Sequence, residues 1–235
     1  MTKQEKIVSM FNDIAPTYDK ANRVLSMGVD TIWRKKACSK AFSYCGDEAL
    51  SIVDVACGTG DMMGYWKRVG AEHKIVIDEI IGVDPSDGMV GVGREKFPEM
   101  AFHIAPATLL PRDDQSADII SISYGIRNVM ERQAALLEFN RVLKTGGLVV
   151  ILEFMKNENP SALGKVRDWY MNNVLPRLGG LISNNYEAYR YLPDSIEGFL
   201  TVGKMATELE EAGFEMLYTK SFSMDISTLM IARKK

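Results

Sequence analysis

Two glycines separated by one residue, Gly58 and Gly60, follow an apolar run at residues 51–56 and stand just before Asp61. Glycine has no Cβ, so the backbone there can turn sharply and a ligand can approach the main chain. A second apolar run, residues 80–84, ends in Asp84. A carboxylate at that place in a βαβ unit accepts hydrogen bonds from the two hydroxyls of a ribose. A close-approach turn and a ribose acceptor point together to a cofactor that carries adenosine. Asp54, inside the first run, joins Gly58, Gly60 and Asp84 as a candidate contact.

The turn also discriminates among adenosine cofactors. A dinucleotide fingerprint asks for G-x-G-x-x-G, whereas Met63 stands at the third glycine position and Gly64 comes one place late. Asp61 would set a fixed negative charge where a pyrophosphate seeks a helix N-terminus. An acidic turn suits a cation better. S-adenosylmethionine has a sulfonium and an ammonium but no phosphate, so it is expected ahead of NAD. Each carboxylate also has a plainer use. Asp54 can brace the turn, Asp61 can sit on the helix dipole, and Asp84 can be a strand-end turn residue.

These groups need strands and helices to hold them. Residues 1–50 read as mostly helical, with Pro16 breaking the pattern. Residues 51–154 alternate apolar runs (51–56, 80–84, 102–105, 118–123, 148–154) with helical patterns (61–69, 86–96, 131–143), which argues for a parallel sheet covered on both faces. The piece 74–78 fits neither neighbour, as an added turn or an early start to the second strand. Residues 155–200 break the rhythm and carry Trp169, Tyr170, Tyr186, Tyr189 and Tyr191. A helix near 202–212 then precedes strands at 214–222 and 226–233. The reading is one α/β domain over 1–235. It comprises an N-terminal helical segment (1–50), a Rossmann-like cofactor core (51–154), a helical insertion (155–200), and a closing helix and antiparallel hairpin (201–235).

With 235 residues and 46% hydrophobic content, the chain can bury a sizeable core. A net charge of −3 implies no nucleic-acid partner. The three cysteines, Cys38, Cys45 and Cys57, form no C-x-x-C pair, so neither a zinc site nor a disulfide framework is expected. The charged start lacks the apolar core of a signal peptide, and no apolar run reaches the roughly 18 residues of a membrane span. A cytoplasmic protein is expected.

Several runs resemble the ubiquinone/menaquinone C-methyltransferase family. They are Tyr18-Asp19-Lys20-Ala21-Asn22-Arg23-Val24-Leu25-Ser26-Met27-Gly28 with Trp33-Arg34, Val53-Asp54-Val55-Ala56-Cys57-Gly58-Thr59-Gly60-Asp61, Tyr124-Gly125-Ile126-Arg127-Asn128-Val129, Arg141-Val142-Leu143-Lys144-Thr145-Gly146-Gly147, Leu152-Glu153-Phe154, Leu175-Pro176-Arg177-Leu178-Gly179, and Tyr189-Arg190-Tyr191-Leu192 with Ser195-Ile196. The resemblance implies a seven-stranded class I methyltransferase fold that uses S-adenosyl-L-methionine. It further implies C-methylation of a polyprenylated quinol, demethylmenaquinol or a benzoquinol. It carries Thr59 onto the glycine turn, Asp84 onto the ribose and Ser123 onto the end of the fourth strand. The family usually places Asn-Ala or Asp-Ala after the third strand. Here Pro106-Ala107 leaves adenine recognition to Ala107 or to stacking, because proline offers neither an N–H nor a polar side chain.

Carbon methylation needs a ring carbon aligned with the departing sulfur and a neighbouring hydroxyl that gives up its proton. Neither His73 nor His103 falls in a catalytic pattern. Tyr124, Arg127, Asn128 and Glu153 are the candidates near the strand ends. Arg127 is expected to stabilise a phenolate, with a plain loop salt bridge as its alternative. The base is left unassigned. A prenyl tail asks for an apolar groove, for which Phe11, Tyr18, Trp33, Trp169, Leu175, Tyr186 and Tyr189 are the candidates, with transient contact at a membrane surface. A homodimer is left open. The competing functions are methylation of another small acceptor, such as a sterol or phenol, and cofactor binding without catalysis.

Overall fold

The computed structural model describes residues 1–235 except 47, 158–168, 171–172, 184 and 224, together with the side chains of 175 and 181–183. The N-terminal helices are α1 (Lys3–Ile14), α2 (Tyr18–Leu25) and α3 (Val29–Phe42), with a 3-10 turn at Ala15–Thr17 where Pro16 interrupts the pattern. The alternating core follows as β1 (Leu50–Val55), α4 (Asp61–His73), β2 (Ile77–Asp84), α5 (Asp87–Lys96), β3 (Ala101–Ile104), β4 (Ala117–Ser123), α6 (Arg132–Val142) and β5 (Leu143–Glu153). Next come α7 (Leu175–Ser183), α8 (Tyr186–Glu197), α9 (Val202–Glu211), β6 (Phe214–Phe222) and β7 (Ser227–Lys234).

The strands form one seven-stranded sheet in the order β3-β2-β1-β4-β5-β7-β6, parallel except for β7. The α/β fold with an antiparallel C-terminal hairpin is therefore the one the sequence predicts. Strand order reverses between β1 and β4, and a crevice opens at such a switch point beyond the carboxyl ends of the strands. The piece at 74–78 is now accounted for. Lys74 ends α4 in the left-handed conformation, and β2 starts at Ile77, ahead of the expected residue 80.

Burial explains the layering. β1 and β4 are buried on both faces because helices cover both sides of the sheet. On one face, Val53, Ile120 and Phe139 pack with Leu209 and Phe214; on the other, Ile52, Trp66 and Val150 pack with Trp33 and Phe42 of α3. A smaller core joins the N-terminal helices to the late insertion: Ile14, Ala21 and Leu25 meet Met89, Ala188 and Tyr189. The edge strands β3 and β6 are the exposed ones.

One polar chain crosses the second core. The Trp66 indole donates to Ser121 Oγ at 2.9 Å, and the Ser121 hydroxyl donates to Asp54 Oδ1 at 2.6 Å. It ties α4 to β4 and β4 to β1. Burial pushes the Asp54 carboxyl up to about 7 despite that hydrogen bond. Between about 3.8, the ordinary value, and about 7, folding therefore takes up a proton at this site. The resulting stabilisation is complete below the ordinary value and is lost as pH rises through about 7. Asp54→Asn keeps an acceptor for Ser121 without the charge. Its melting temperature should gain on the parent as pH is raised from acid to above 7, and thermal melts across that range check the slope.

The two glycines of the turn have different tasks. Gly60 has φ +82°, and an added Cβ would lie 2.8 Å from the Phe102 ring, inside the small core of Cys57, Met63, Val90 and Phe102. Gly58 has φ +55° with nothing within 4 Å of an added Cβ. Gly60→Ala should therefore destabilise by about 2–4 kcal/mol, combining left-handed strain with overpacking, as read by urea denaturation.

Candidate active site

A cavity of about 600 Å³ opens at the switch point. Its floor comes from the carboxyl ends of the strands: Ala56 and Gly58 after β1, Asp84 ending β2, Pro106 and Ala107 after β3, and Ser123 and Tyr124 around the end of β4. Its opposite wall is α1, through Ile7, Val8 and Phe11, with Tyr18 of α2. The turns after β1 and β4 nearly touch, since a Cβ on Gly125 would sit 2.5 Å from that of Ala56. Ala56 and Tyr124 both hold positive φ, at 49° and 58°. Backbone strain of this kind costs on the order of 1–3 kcal/mol per residue and gathers at binding sites.

Asp84 is the organising acid. Its Oδ2 accepts the Gly58 N–H at 2.8 Å and its Oδ1 accepts the Ser86 N–H at 2.8 Å, so β2 is fastened to the turn after β1. Each carboxylate oxygen keeps a further acceptor position. Burial raises its pKa to about 6, against the pull of those two amides. Ser123 Oγ is buried on the cavity wall without a hydrogen-bond partner among the described residues. An acidic acceptor, a glycine open to the cavity and an unanswered hydroxyl match the hydroxyls and polar groups of an adenosine cofactor. The residues present fit S-adenosylmethionine, which Asp84, Gly58, Ser123 and, at the adenine side, Ala107 would hold.

Other expected contacts stand behind this wall. Asp54 is occupied by Ser121, and Gly60 packs on Phe102. The Thr59 hydroxyl donates to Asp19 Oδ1 at 2.6 Å. Asp61, expected to attract a cation, already has two: Arg23 at 2.9 Å and Lys96, which also reaches Asp19 at 2.7 Å. These partners hold its carboxyl below the ordinary value against the cost of burial. The acidic turn is therefore not free to attract a cationic ligand, contrary to the sequence expectation. The charges of 19, 23, 61 and 96 clamp α2 onto the glycine turn, and none of them lines the cavity.

The catalytic candidates also separate. Tyr124 and Asn128 line the cavity, and Asn128 Oδ1 accepts the Tyr191 hydroxyl at 2.9 Å. The Tyr124 hydroxyl pairs with Ser227 Oγ at 3.0 Å, and burial pushes its pKa up, so it keeps its proton. Arg34 lies over the Tyr124 ring at 5.0 Å. Arg127 is not on the cavity wall. Its guanidinium pairs with Glu153, donates to the Tyr124 carbonyl at 2.7 Å and reaches Ser195 at 3.3 Å. The expected contact with a phenolate gives way to a clamp, because a fully buried carboxylate claims the cation.

The aromatic candidates divide likewise. Phe11 and Tyr18 line the cavity. Trp33 is buried beneath α3 and donates to Ser223, while Tyr189 belongs to the N-terminal core. Trp169 and Tyr186 are exposed, and the Leu175 side chain lies outside the described residues. Neither His73 nor His103 borders the cavity. Sequence reasoning missed the first residues of the chain, Thr2 to Gln4, on the cavity wall. The capping box of Thr2 and Glu5 was a readable signal for a helix start there.

The model of the ubiE/COQ5 methyltransferase family matches residues 1–234. A protein of Campylobacter jejuni (serotype O:6, strain 81116), named a ubiquinone/menaquinone biosynthesis C-methyltransferase, is 55% identical over 234 residues, covering 100% of both chains. A demethylmenaquinone methyltransferase of Chlorobaculum parvum is 36% identical, over 98% of this chain and 93% of its own. Among solved structures, a SAM-dependent methyltransferase from Aquifex aeolicus superposes with a TM-score of 0.57 at 16% identity, covering 84% of this chain and 89% of that one. The last similarity speaks to the fold alone. The match over nearly every residue speaks to descent: this chain belongs to the ubiE/COQ5 methyltransferase family.

Proposed function

We propose that this protein transfers the methyl group of S-adenosylmethionine to a ring carbon of a polyprenylated quinol, with demethylmenaquinol the foremost acceptor and a benzoquinol the second. The observation that carries the reading is the division of one cavity. Asp84, Gly58 and Ser123 lie on the strand ends at one side, and Ile7, Val8 and Phe11 form an apolar wall at the other. The relatives named for quinone methylation support the choice of acceptor.

When bound, the cofactor supplies an electrophilic methyl carbon. The chain's own contribution is placement and exclusion of water. Asp84 takes the ribose hydroxyls, Gly58 lets the backbone approach, and α1 closes the cavity from the N-terminal side. Gln4 accepts the Met130 N–H at 3.1 Å, and Asn12 accepts the Gly88 N–H at 3.1 Å and the Ser86 hydroxyl, so α1 is latched at both ends. The Tyr124 ring lines the cavity while Ser227 keeps its hydroxyl, and the Asn128 amide is the polar group offered to the acceptor ring. Arg127 is a positioning residue that holds the Tyr124–Asn128 loop against Glu153. The chain works as a single methyltransferase unit, and it meets the acceptor at a membrane surface. Among the described residues no helix is long and apolar enough to cross a membrane.

The acceptor must be the reduced quinol, since an electron-poor quinone is a bad partner for an electrophilic methyl. Product analysis with both redox states should show methylation of the quinol; brisk turnover of the quinone contradicts the mechanism.

Asp84→Ala should lower cofactor affinity about tenfold or more, a charge-assisted hydrogen bond being worth roughly 1.5–3 kcal/mol. It should also lower the melting temperature, because two buried amides lose their acceptor. Calorimetry well below the melting point separates the effects, and an unchanged affinity rejects the ribose assignment.

Arg127→Ala leaves Glu153 buried without its cation and should cost about 3–5 kcal/mol of stability. Adding Glu153→Gln should recover much of that stability. Turnover should nevertheless stay low in the double variant, with unchanged cofactor affinity, because the loop has lost its clamp. Full recovery of turnover with stability reduces Arg127 to a structural salt bridge.

A further inference from the structure

The outer face of α3 carries a pattern that the active site does not use. Its inward residues, Trp33, Arg34, Ala37, Cys38, Ala41 and Phe42, are buried against the sheet. The outward stripe Ile32, Lys35, Lys36, Ser39 and Lys40 lines a separate groove of about 840 Å³, closed by α4 and the edge strand β6. Arg68 of α4 and Lys220 of β6 bring the cations along this groove to five, and no carboxylate lines it among the described residues. That sign is opposite to the chain's net charge of −3. Lys35 pairs with Glu72 at the rim at 2.8 Å, and Arg68 is also attracted by that carboxylate; Lys36, Lys40 and Lys220 form no ion pair among the described residues.

The cations are set among aromatic rings. Lys36 lies 5.8 Å from the Phe222 centroid, Lys40 4.7 Å from that of Tyr218, and Arg68 4.4 Å from that of Tyr65. Such seating places the charges without neutralising them. Large apolar side chains also stand in water on its wall and in the turn and helix end that precede α3. Ile32, on its wall, is 50% exposed, and Met27, in the turn that leads into α3, is 81% exposed. Val24 is exposed at the end of α2. Cations interleaved with rings and flanked by protruding apolar tips suit a surface that is anionic at the headgroups and apolar just beneath.

We infer that the α3–β6 groove binds the phosphate headgroups of an anionic bilayer while Met27, Ile32 and their neighbours enter its apolar margin. The choice of a bilayer over another polyanion rests on the proposal that the acceptor is a prenylated quinol. The groove lies outside the methyl-transfer cavity and shares no lining residue with it.

The test is flotation of the full chain with phosphatidylcholine vesicles, with and without phosphatidylglycerol, for the parent, for K36Q/K40Q/K220Q and for Met27→Ser. The parent should bind the anionic vesicles, and added salt should release it. The triple variant should bind them on the order of a hundredfold more weakly, since each lysine near such a surface is worth roughly fivefold, and Met27→Ser should bind more weakly than the parent. Each variant should methylate a tail-free, water-soluble quinol at the parental rate. Failure of the parent to bind, equal binding by the triple variant, or retention on single-stranded RNA but not on vesicles overturns the inference. Vesicle binding through these lysines without methylation of any quinol instead counts against the proposed reaction and leaves the surface standing.

Discussion

The site depends on one buried carboxylate held by two backbone amides. Asp84 ends β2, and by accepting from Gly58 and Ser86 it fixes the turn after β1 and the entry to α5 around a single charge. Two conditions make this arrangement stable. The sheet reverses its strand order next door, so the strand ends diverge and leave a crevice. The glycine turn gives the carboxylate an amide at 2.8 Å while leaving space above Gly58. The cost is visible in the raised pKa of the acid, which reflects a desolvated group with acceptor capacity to spare.

Around that point the fold uses ion pairs to hold separate elements in register. Asp19 and Arg23 on α2 meet Thr59, Asp61 and Lys96, so the N-terminal helices are fastened to the same glycine turn that borders the cavity. Arg127 and Glu153 do the corresponding work across the crevice, anchoring the loop that follows β4 to the end of β5. Both clamps sit just behind the cavity. Charges that look catalytic in a list of residues serve here to place backbone and neutral side chains. That suits a reaction governed mainly by alignment.

Much of the sheet was legible because its strands are short apolar runs separated by helical periods, and the closing hairpin followed from the pattern near the C-terminus. Gly58 and Asp84 were legible because their chemistry is local: a turn and a strand end define what each can do. The roles of Asp61 and Arg127 were not, since each depends on a partner distant in sequence, Arg23 and Lys96 in one case and Glu153 in the other. Trp33 and Tyr189 failed as groove residues for a related reason. An aromatic in a helix serves the core or a ligand according to which face packs, and that was decided by α3 lying on the sheet and by α8 meeting the N-terminal helices. The sequence offers no sign that the runs at 124–129 and 189–196 meet each other. In the structure they are in direct contact, Tyr191 with Asn128 and Ser195 with Arg127.

The central claim is methyl transfer to a ring carbon within the cavity built on Asp84. It is tested most directly by supplying S-adenosylmethionine with a deuterated methyl group together with demethylmenaquinol, then locating the label by NMR. The account predicts the intact deuterated methyl on the ring carbon of the quinol, with the Asp84→Ala variant forming that product only at far higher cofactor concentration. Label on a ring oxygen, or no labelled product from a protein that binds both partners, contradicts it.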